Sequence, residues 1–252
     1  MKPIKAFLAA IALFGASGCS LTGTDTPEPR LALFVGVDVS GSYAKSDRYD
    51  DSLAFLARYL EAHLAGAAGL ERPAHLFVGP IGGVLPSDAK TFYPIQAFER
   101  KPADELQAKL SELFPKQKVD PYTDFNAFFA HVAQTARERN LLLKPISIVV
   151  LSDGIVDSPD GKAAQDPRSI VFTPLETLSR DVTVRLLYTD PRTGAAWKAK
   201  VPRRRVKLFC QDAAVMTGWK EAAAADPAGG PSRLLPWIND NVDYPVRAQR
   251  VD

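Results

Sequence analysis

Leu31-Ala32-Leu33-Phe34-Val35-Gly36-Val37-Asp38-Val39-Ser40-Gly41-Ser42 is the stretch that decides the fold. The run from Leu31 to Val37 is continuously apolar. A strand buried on both faces has this pattern, whereas a half-buried strand alternates. The run stops at a carboxylate. In open, mainly parallel α/β sheets, ligands collect in the loops beyond the carboxyl ends of the strands, and Asp38 falls there. Asp38, Ser40 and Ser42 alternate, so an extended loop aims all three the same way. Gly41 lets the backbone turn tightly beside whatever they hold.

Outward from this strand, helices and strands alternate. Asp50 to Leu64 has helical spacing, with Leu53, Leu56, Ala57, Leu60 and Leu64 on one side. His75 to Val78 reads as a strand. Phe92 to Phe98 reads as another, held to a sheet edge by Pro94. Ala103 to Phe114 and Asp124 to Asn140 are amphipathic helices, and Ile146 to Leu151 is a second central strand. Val182 to Tyr188 and Arg205 to Phe209 add strands, Asp212 to Ala225 a last helix, and the proline-containing tail from Asp226 is expected to be irregular. Alternation of this kind implies right-handed crossovers, hence an α/β fold with a doubly wound, mainly parallel sheet flanked by helices.

Two further pieces fall where such a fold puts its ligands. Ser152-Asp153-Gly154 follows the second central strand, and Tyr122-Thr123-Asp124-Phe125-Asn126 precedes a helix. With the first loop they offer two carboxylates, Asp38 and Asp153, and three hydroxyls, Ser40, Ser42 and Thr123. Oxygen-only donors select hard cations, and a small octahedral set suits Mg²⁺ or Mn²⁺ over Zn²⁺. Each hydroxyl taken alone is explained as a helix cap or turn former, but that does not account for their joint placement with two carboxylates. Asp124 is expected to cap the helix that starts at Phe125 and not to be a ligand.

In this order and context, Asp38, Ser40, Ser42, Thr123 and Asp153 resemble the metal-ion-dependent adhesion site of von Willebrand factor A-type domains, a Rossmann-like family. The likeness covers about residues 31–225. It implies that Ser40, Ser42 and Thr123 ligate metal directly and that Asp38 and Asp153 do so directly or through water. It also implies that one coordination position stays open for a carboxylate from a protein partner.

The first residues read as a leader. Lys2 and Lys5 precede a short apolar run, Ala6 to Phe14, about half the ~20 residues a membrane span needs. Gly15-Ala16-Ser17-Gly18-Cys19 resembles the lipobox of bacterial lipoproteins, with Ala16 where leucine is usual. The resemblance implies removal of residues 1–18, diacylglyceryl modification of Cys19 and a lipidated tether, 19–30. The domain then covers 31–225 and the irregular, proline-rich tail 226–252. Two or more acyl chains anchor stably where one does not. Ser20 is not the aspartate that favours inner-membrane retention in that family. The expected location is therefore the bacterial cell envelope, anchored to the outer membrane and facing the periplasm or surface. The alternative is an ordinary signal peptide with Cys19 free or paired to Cys210. Cys210 itself closes an apolar run and reads as a small buried hydrophobe.

Composition narrows the rest. The 252 residues are 46% hydrophobic and 24% charged, with a formal net charge of +2. That balance is globular and gives no reason to expect nucleic acid. The one basic cluster is Arg203-Arg204-Arg205 with Lys198, Lys200 and Lys207; a solvated loop is favoured over contact with anionic lipid or an acidic partner. Trp197 and Trp219 are expected core anchors of short helices, while Trp237 either folds back onto the domain or meets a partner. Enzyme signatures fail locally. A haloacid dehalogenase needs a second aspartate where Ser40 stands, a serine elbow needs glycine where Asp38 stands, and no P-loop follows a strand. His63, His75 and His131 read as surface or satisfied core groups. The expectation is a metal-dependent binding lipoprotein, not an enzyme. The alternatives are a metal-free scaffold or, with less support, a metal-dependent hydrolase.

Overall fold

The computed structural model describes residues 28–82, 91–157, 166–224 and 232–245. The leader 1–18, Cys19 and the tether up to residue 27 lie outside the described residues, as do 225–231 and 246–252 of the tail. In chain order the described residues form β1 (Leu31–Asp38), α1 (Gly41–Ala44), α2 (Arg48–Ala65), β2 (Pro73–Ile81), β3 (Tyr93–Pro94), α3 (Ala103–Leu113), α4 (Phe125–Glu138), β4 (Ile146–Leu151), α5 (Thr173–Glu176), β5 (Val182–Thr189), α6 (Pro191–Lys200), β6 (Lys207–Asp212), α7 (Ala213–Met216), α8 (Trp219–Ala224) and α9 (Leu234–Ile238). A π-helical turn, Asn239–Asp243, continues from α9.

The six strands form one sheet in the order β3-β2-β1-β4-β5-β6. Every pairing is parallel except β2 with β3. The chain winds outward from β1 through β2 to β3, returns to β4 on the far side of β1, and winds outward again to β6. This is the expected doubly wound α/β fold, and the winding reverses between β1 and β4. At that seam the loops leave the strand ends in opposite directions, which opens a crevice.

β1 is buried at every residue, as its unbroken apolar run requires. Its side chains still alternate between two cores. Leu33, Val35 and Val37 pack with α2, α3 and the α7–α9 segment, through Phe55, Leu106 and Ile238 among others. Ala32 and Phe34 pack on the opposite face with α4, α5 and α6, through Phe129, Leu175 and Trp197. Gly36 sits where α4 approaches this second face. A Cβ there would lie 2.5 Å from Ile81 Cδ1 and 2.7 Å from the Phe128 ring, so any larger residue would push α4 off the central strand.

Several elements differ from the sequence reading. Of Phe92–Phe98 only Tyr93–Pro94 pairs with the sheet, and Ile95–Ala97 is a 3₁₀ turn. Pro94 offers no N–H to extend the ladder, so the edge strand ends as soon as it begins. The helix expected from Asp212 to Ala225 is two helices broken at Thr217-Gly218. Glycine is a poor helix former, and the Trp237 indole lies 3.3 Å from where a Gly218 Cβ would stand. Helices α1 and α5 were not expected as helices, and both are single turns without an apolar stripe; α6 is the short helix expected around Trp197.

The described part of the tail, 232–245, is helical over α9 and the π turn instead of irregular. Pro236 lies in the first turn of α9, where a missing N–H costs nothing. Trp237 folds back onto Phe55, ring centres 6.0 Å apart. The buried Arg185 guanidinium donates to Val242 O at 2.7 Å and to Ser147 Oγ at 2.9 Å. The Tyr59 hydroxyl donates to Asp243 Oδ1 at 2.9 Å, and His63 Nε2 lies 2.9 Å from Asp243 Oδ2. An arginine inside a strand is tolerated because main-chain carbonyls and a carboxylate surround it. Trp197 and Trp219 are buried, as expected, and burial pushes the Cys210 thiol up to about 12. No described helix is long and apolar enough to cross a membrane.

Candidate metal centre

Asp38 is the last residue of β1 and is fully buried. Both carboxylate oxygens are engaged. Oδ1 accepts the Ser40 N–H at 2.8 Å, and Oδ2 accepts the Ser152 hydroxyl at 2.6 Å. Ser152 Oγ in turn accepts the Gly154 N–H at 2.9 Å. The Asp38–Ser152 bond joins the ends of β1 and β4 across the seam. Burial pushes the Asp38 carboxyl up to about 7, outweighing the hydrogen bonds from Ser152 and Ser40 that favour its charged form.

The loops are stitched together by their main chains. Asp120 N–H donates to Val39 O at 2.9 Å and Gly41 N–H to Asp120 O at 3.2 Å, so the segment before Thr123 lies along the Asp38–Ser42 loop. Thr123 N–H donates to Asp157 O at 3.0 Å, which fixes it to the loop after β4. Asp124 caps α4, accepting the Ala127 N–H at 2.8 Å, as the sequence reading expected. Trp197 supports two loops at once: Nε1 donates to Gly154 O at 2.8 Å, and its ring meets Phe125 edge-on with centres 5.0 Å apart. Gly154 has φ 78°, a conformation that needs glycine, and it turns the chain directly after Asp153.

Within this frame the five sequence-derived residues sit on three adjoining loops. Ser40 and Thr123 are buried, Asp153 is half-buried and Ser42 is exposed. Ser40 Oγ and Ser42 Oγ are 3.2 Å apart. Asp153 Oδ1 accepts the Ile155 N–H at 2.9 Å. Burial raises its carboxyl above the usual range, opposed by hydrogen bonds from the Ile155 N–H and the Ser42 hydroxyl. The cluster is therefore closed on the Asp38 side and open to solvent on the Ser42 and Asp153 side. Among the described residues no three His, Cys, Asp or Glu side chains converge as a metal-ligating group. Any cation held here takes much of its coordination from hydroxyls.

Sequence reasoning missed four participants. Ser152 was read as part of the loop but not given a role; because neighbouring residues at a strand end point opposite ways, it turns to Asp38 while Asp153 faces outward. Arg48 Nη1 donates to Tyr188 O at 3.4 Å, and its charge favours the ionised forms of both Asp153 and Asp190. Asp190 follows β5 and caps α6, accepting the Arg192 and Thr193 N–H groups. Tyr188 has φ 74°, rare for an aromatic residue, at a register shift between β5 and β6. Its hydroxyl donates to Asp51 Oδ2 at 2.8 Å. A sequence pattern carries no sign of that bulge.

No protein-family model and no curated protein matches the chain. Among solved structures, the VWA domain of SpRpn10 matches at 11% identity and TM-score 0.43, over 84% of this chain and 95% of that one. Proximal thread matrix protein 1 from the mussel byssus matches at 8% identity and TM-score 0.45, over 75% of this chain. This chain spans only 45% of the mussel protein's length. A second structure of the mussel protein, titled as having a zinc-occupied MIDAS motif, matches at 10% identity and TM-score 0.37, over 73% of this chain and 41% of that one. At such scores these likenesses say nothing of what this chain binds.

Asp38 gives the site a pH signature. Its folded value of about 7 lies above the ordinary 3.8, so from about pH 4 to 7 the native state holds a proton that the unfolded state releases. Metal-free stability therefore falls as pH rises through that window and levels off above it. Asp38→Asn removes the titration. In chelator at pH 8 the variant should be more stable than wild type by on the order of 2 kcal/mol, several degrees in Tm, with the gap shrinking towards pH 5. Thermal melts across that range check this, and parallel pH profiles would contradict it.

Proposed function

We propose that this chain is a lipid-anchored protein of the bacterial envelope that holds Mg²⁺ or Mn²⁺ at the β1–β4 seam and uses it to bind a protein partner. The observation that carries the reading is the gathering of Asp38, Ser40, Ser42, Thr123 and Asp153 on three main-chain-stitched loops at the point where the sheet's winding reverses. The donors fit a hard cation because they are oxygens, two of them carboxylates, and one side of the cluster is open to solvent. Two carboxylates brought into a partly buried site repel each other and lose hydration, and a dication offsets both costs. When bound, the ion supplies a Lewis-acidic position for an incoming carboxylate. Ile155, 41% exposed beside Asp153, gives a partner an apolar contact at the open edge. Binding without catalysis is part of the proposal.

Anchoring rests on Lys2, Lys5, the apolar run and Cys19. In cells, Cys19→Ser should leave the precursor unlipidated and uncut, whereas the wild-type mature N-terminus should be an acylated Cys19 by mass spectrometry. An unmodified Cys19, or cleavage elsewhere, contradicts the anchor.

One observation favours a second reading, a metal-free scaffold lipoprotein: both Asp38 oxygens already have hydrogen-bond donors from the protein. Affinity capture from envelope extract separates the two. With Mg²⁺ present the wild type should retain a partner that is released by chelator and not retained by Thr123→Ala. A partner that survives chelation and the substitution makes the scaffold the better reading.

A further inference from the structure

The two ends of the sheet differ in charge. At the carboxyl ends of the strands and in the loops beyond lie Asp38, Asp124, Asp153, Asp157, Asp190 and Asp212, with Arg48 and Arg192 beside them. At the opposite end most strands are entered next to a cation: Arg30 before β1, Arg72 before β2, Lys144 before β4, Arg180 before β5, and Arg204 with Arg205 before β6. The strand registers place these entries side by side, since Leu31 pairs with Pro73, Ala32 with Ile146, Ile146 with Val182 and Thr183 with Lys207. All of these cations except half-buried Lys144 are exposed. Of the acidic groups there, Asp181 is paired with Lys207 at 2.6 Å, the Glu176 carboxylate is held by the main-chain N–H groups of Arg204 and Arg205, and Glu28 stands exposed near Arg30. Glu71 stands exposed beside Arg72.

An apolar tip projects from this basic end. In the loop between α4 and β4, Leu142 is 46% and Leu143 79% exposed. The tip is held in place by main-chain bonds, Leu143 N–H to Leu178 O at 3.1 Å and Lys144 N–H to Leu141 O at 3.2 Å. Leu143 has φ 71°, a left-handed conformation unfavourable for leucine, so a side chain that would be better buried is displayed at a strained position. Exposed leucines at the same end of the sheet as these cations fit a surface that is apolar within and anionic at its face, which describes an anionic lipid bilayer. The chain also enters the domain here. Arg30 leads into β1, and the twelve steps from Cys19 to Leu31 span at most about 40 Å even when fully extended.

We propose that the basic end of the domain, with Leu142 and Leu143 as its inserted tip, docks on an anionic lipid bilayer and thereby points the Asp38 site away from the membrane. The docking does not depend on the metal and is tested in chelator. Both cores draw on residues between Leu31 and Val242, so a chain of residues 20–252, without leader or lipid, keeps every described element. The probe is sedimentation of that chain with vesicles of phosphatidylcholine alone or with about a third phosphatidylglycerol. It should bind the anionic vesicles, bind the neutral ones far more weakly, and be released by salt. Arg180→Gln with Arg204→Gln should weaken binding about thirtyfold. Leu143→Asn should also weaken it while preserving or raising Tm, because asparagine accepts the left-handed backbone better than leucine does. Equal binding to both vesicles, binding unchanged by the variants, or no binding overturns the proposal. Binding of this end to an acidic protein in place of vesicles overturns it as well.

Discussion

The hydrogen bond from Ser152 to Asp38 is the constraint on which the rest of the site depends. It crosses the seam where the sheet reverses its winding and ties the first strand to the fourth through a carboxylate without solvent exposure. A carboxyl group buried so deeply resists ionisation, and only its hydrogen-bond donors and any nearby positive charge make the charged form tolerable. The surroundings supply the donors in a definite order: the Ser40 main chain, the Ser152 hydroxyl, then Gly154, whose carbonyl is fixed by Trp197. Among the described residues, Arg48 supplies positive charge that favours the ionised forms of Asp153 and Asp190. The loop geometry is thus fixed in advance by hydrogen bonds, and in the proposed function a bound cation would offset the cost of burying the Asp38 charge.

That preparation relies on packing far from the loops. Gly36 lets α4 lie against β1, α4 carries Phe125 at its first turn, and Phe125 meets Trp197, the same residue that holds the Gly154 loop. One face of the sheet thereby sets the positions of two site loops. On the other face α2 begins with Arg48 and buries Asp51 against Tyr188 and Trp219. The clasp of Arg185, His63 and Tyr59 on Asp243 closes the same face at the opposite end of the strands.

What the sequence made legible follows from what is local. The β1 run ending at Asp38, the cap at Asp124 and the central placement of Ile146–Leu151 rest on short-range rules of periodicity and turn chemistry, and the structure agrees with each. The extended loop expected through Ser42 is not found, because Ser40 is the N-cap of α1 and Ser42 lies inside that helical turn. What escaped depends on contacts distant in the chain. The break at Gly218 depends on Trp237, the helical tail depends on a buried arginine in β5, and the role of Ser152 depends on a carboxylate more than a hundred residues earlier. The left-handed Tyr188 is similar: its conformation is set by the shifted register between β5 and β6, to which no residue pattern points.

The central claim is that these oxygens hold a divalent cation, and Mn²⁺ titration read by electron paramagnetic resonance tests it most directly, because the sharp signal of free Mn²⁺ is lost on binding. The wild-type chain should remove one equivalent of Mn²⁺ per molecule in competition with Mg²⁺, and Asp38→Ala and Thr123→Ala should each abolish that uptake while retaining a cooperative melt. If the wild type leaves the free signal unchanged into the millimolar range, or the variants bind as the wild type does, the seam is not a metal site and the account fails at its centre.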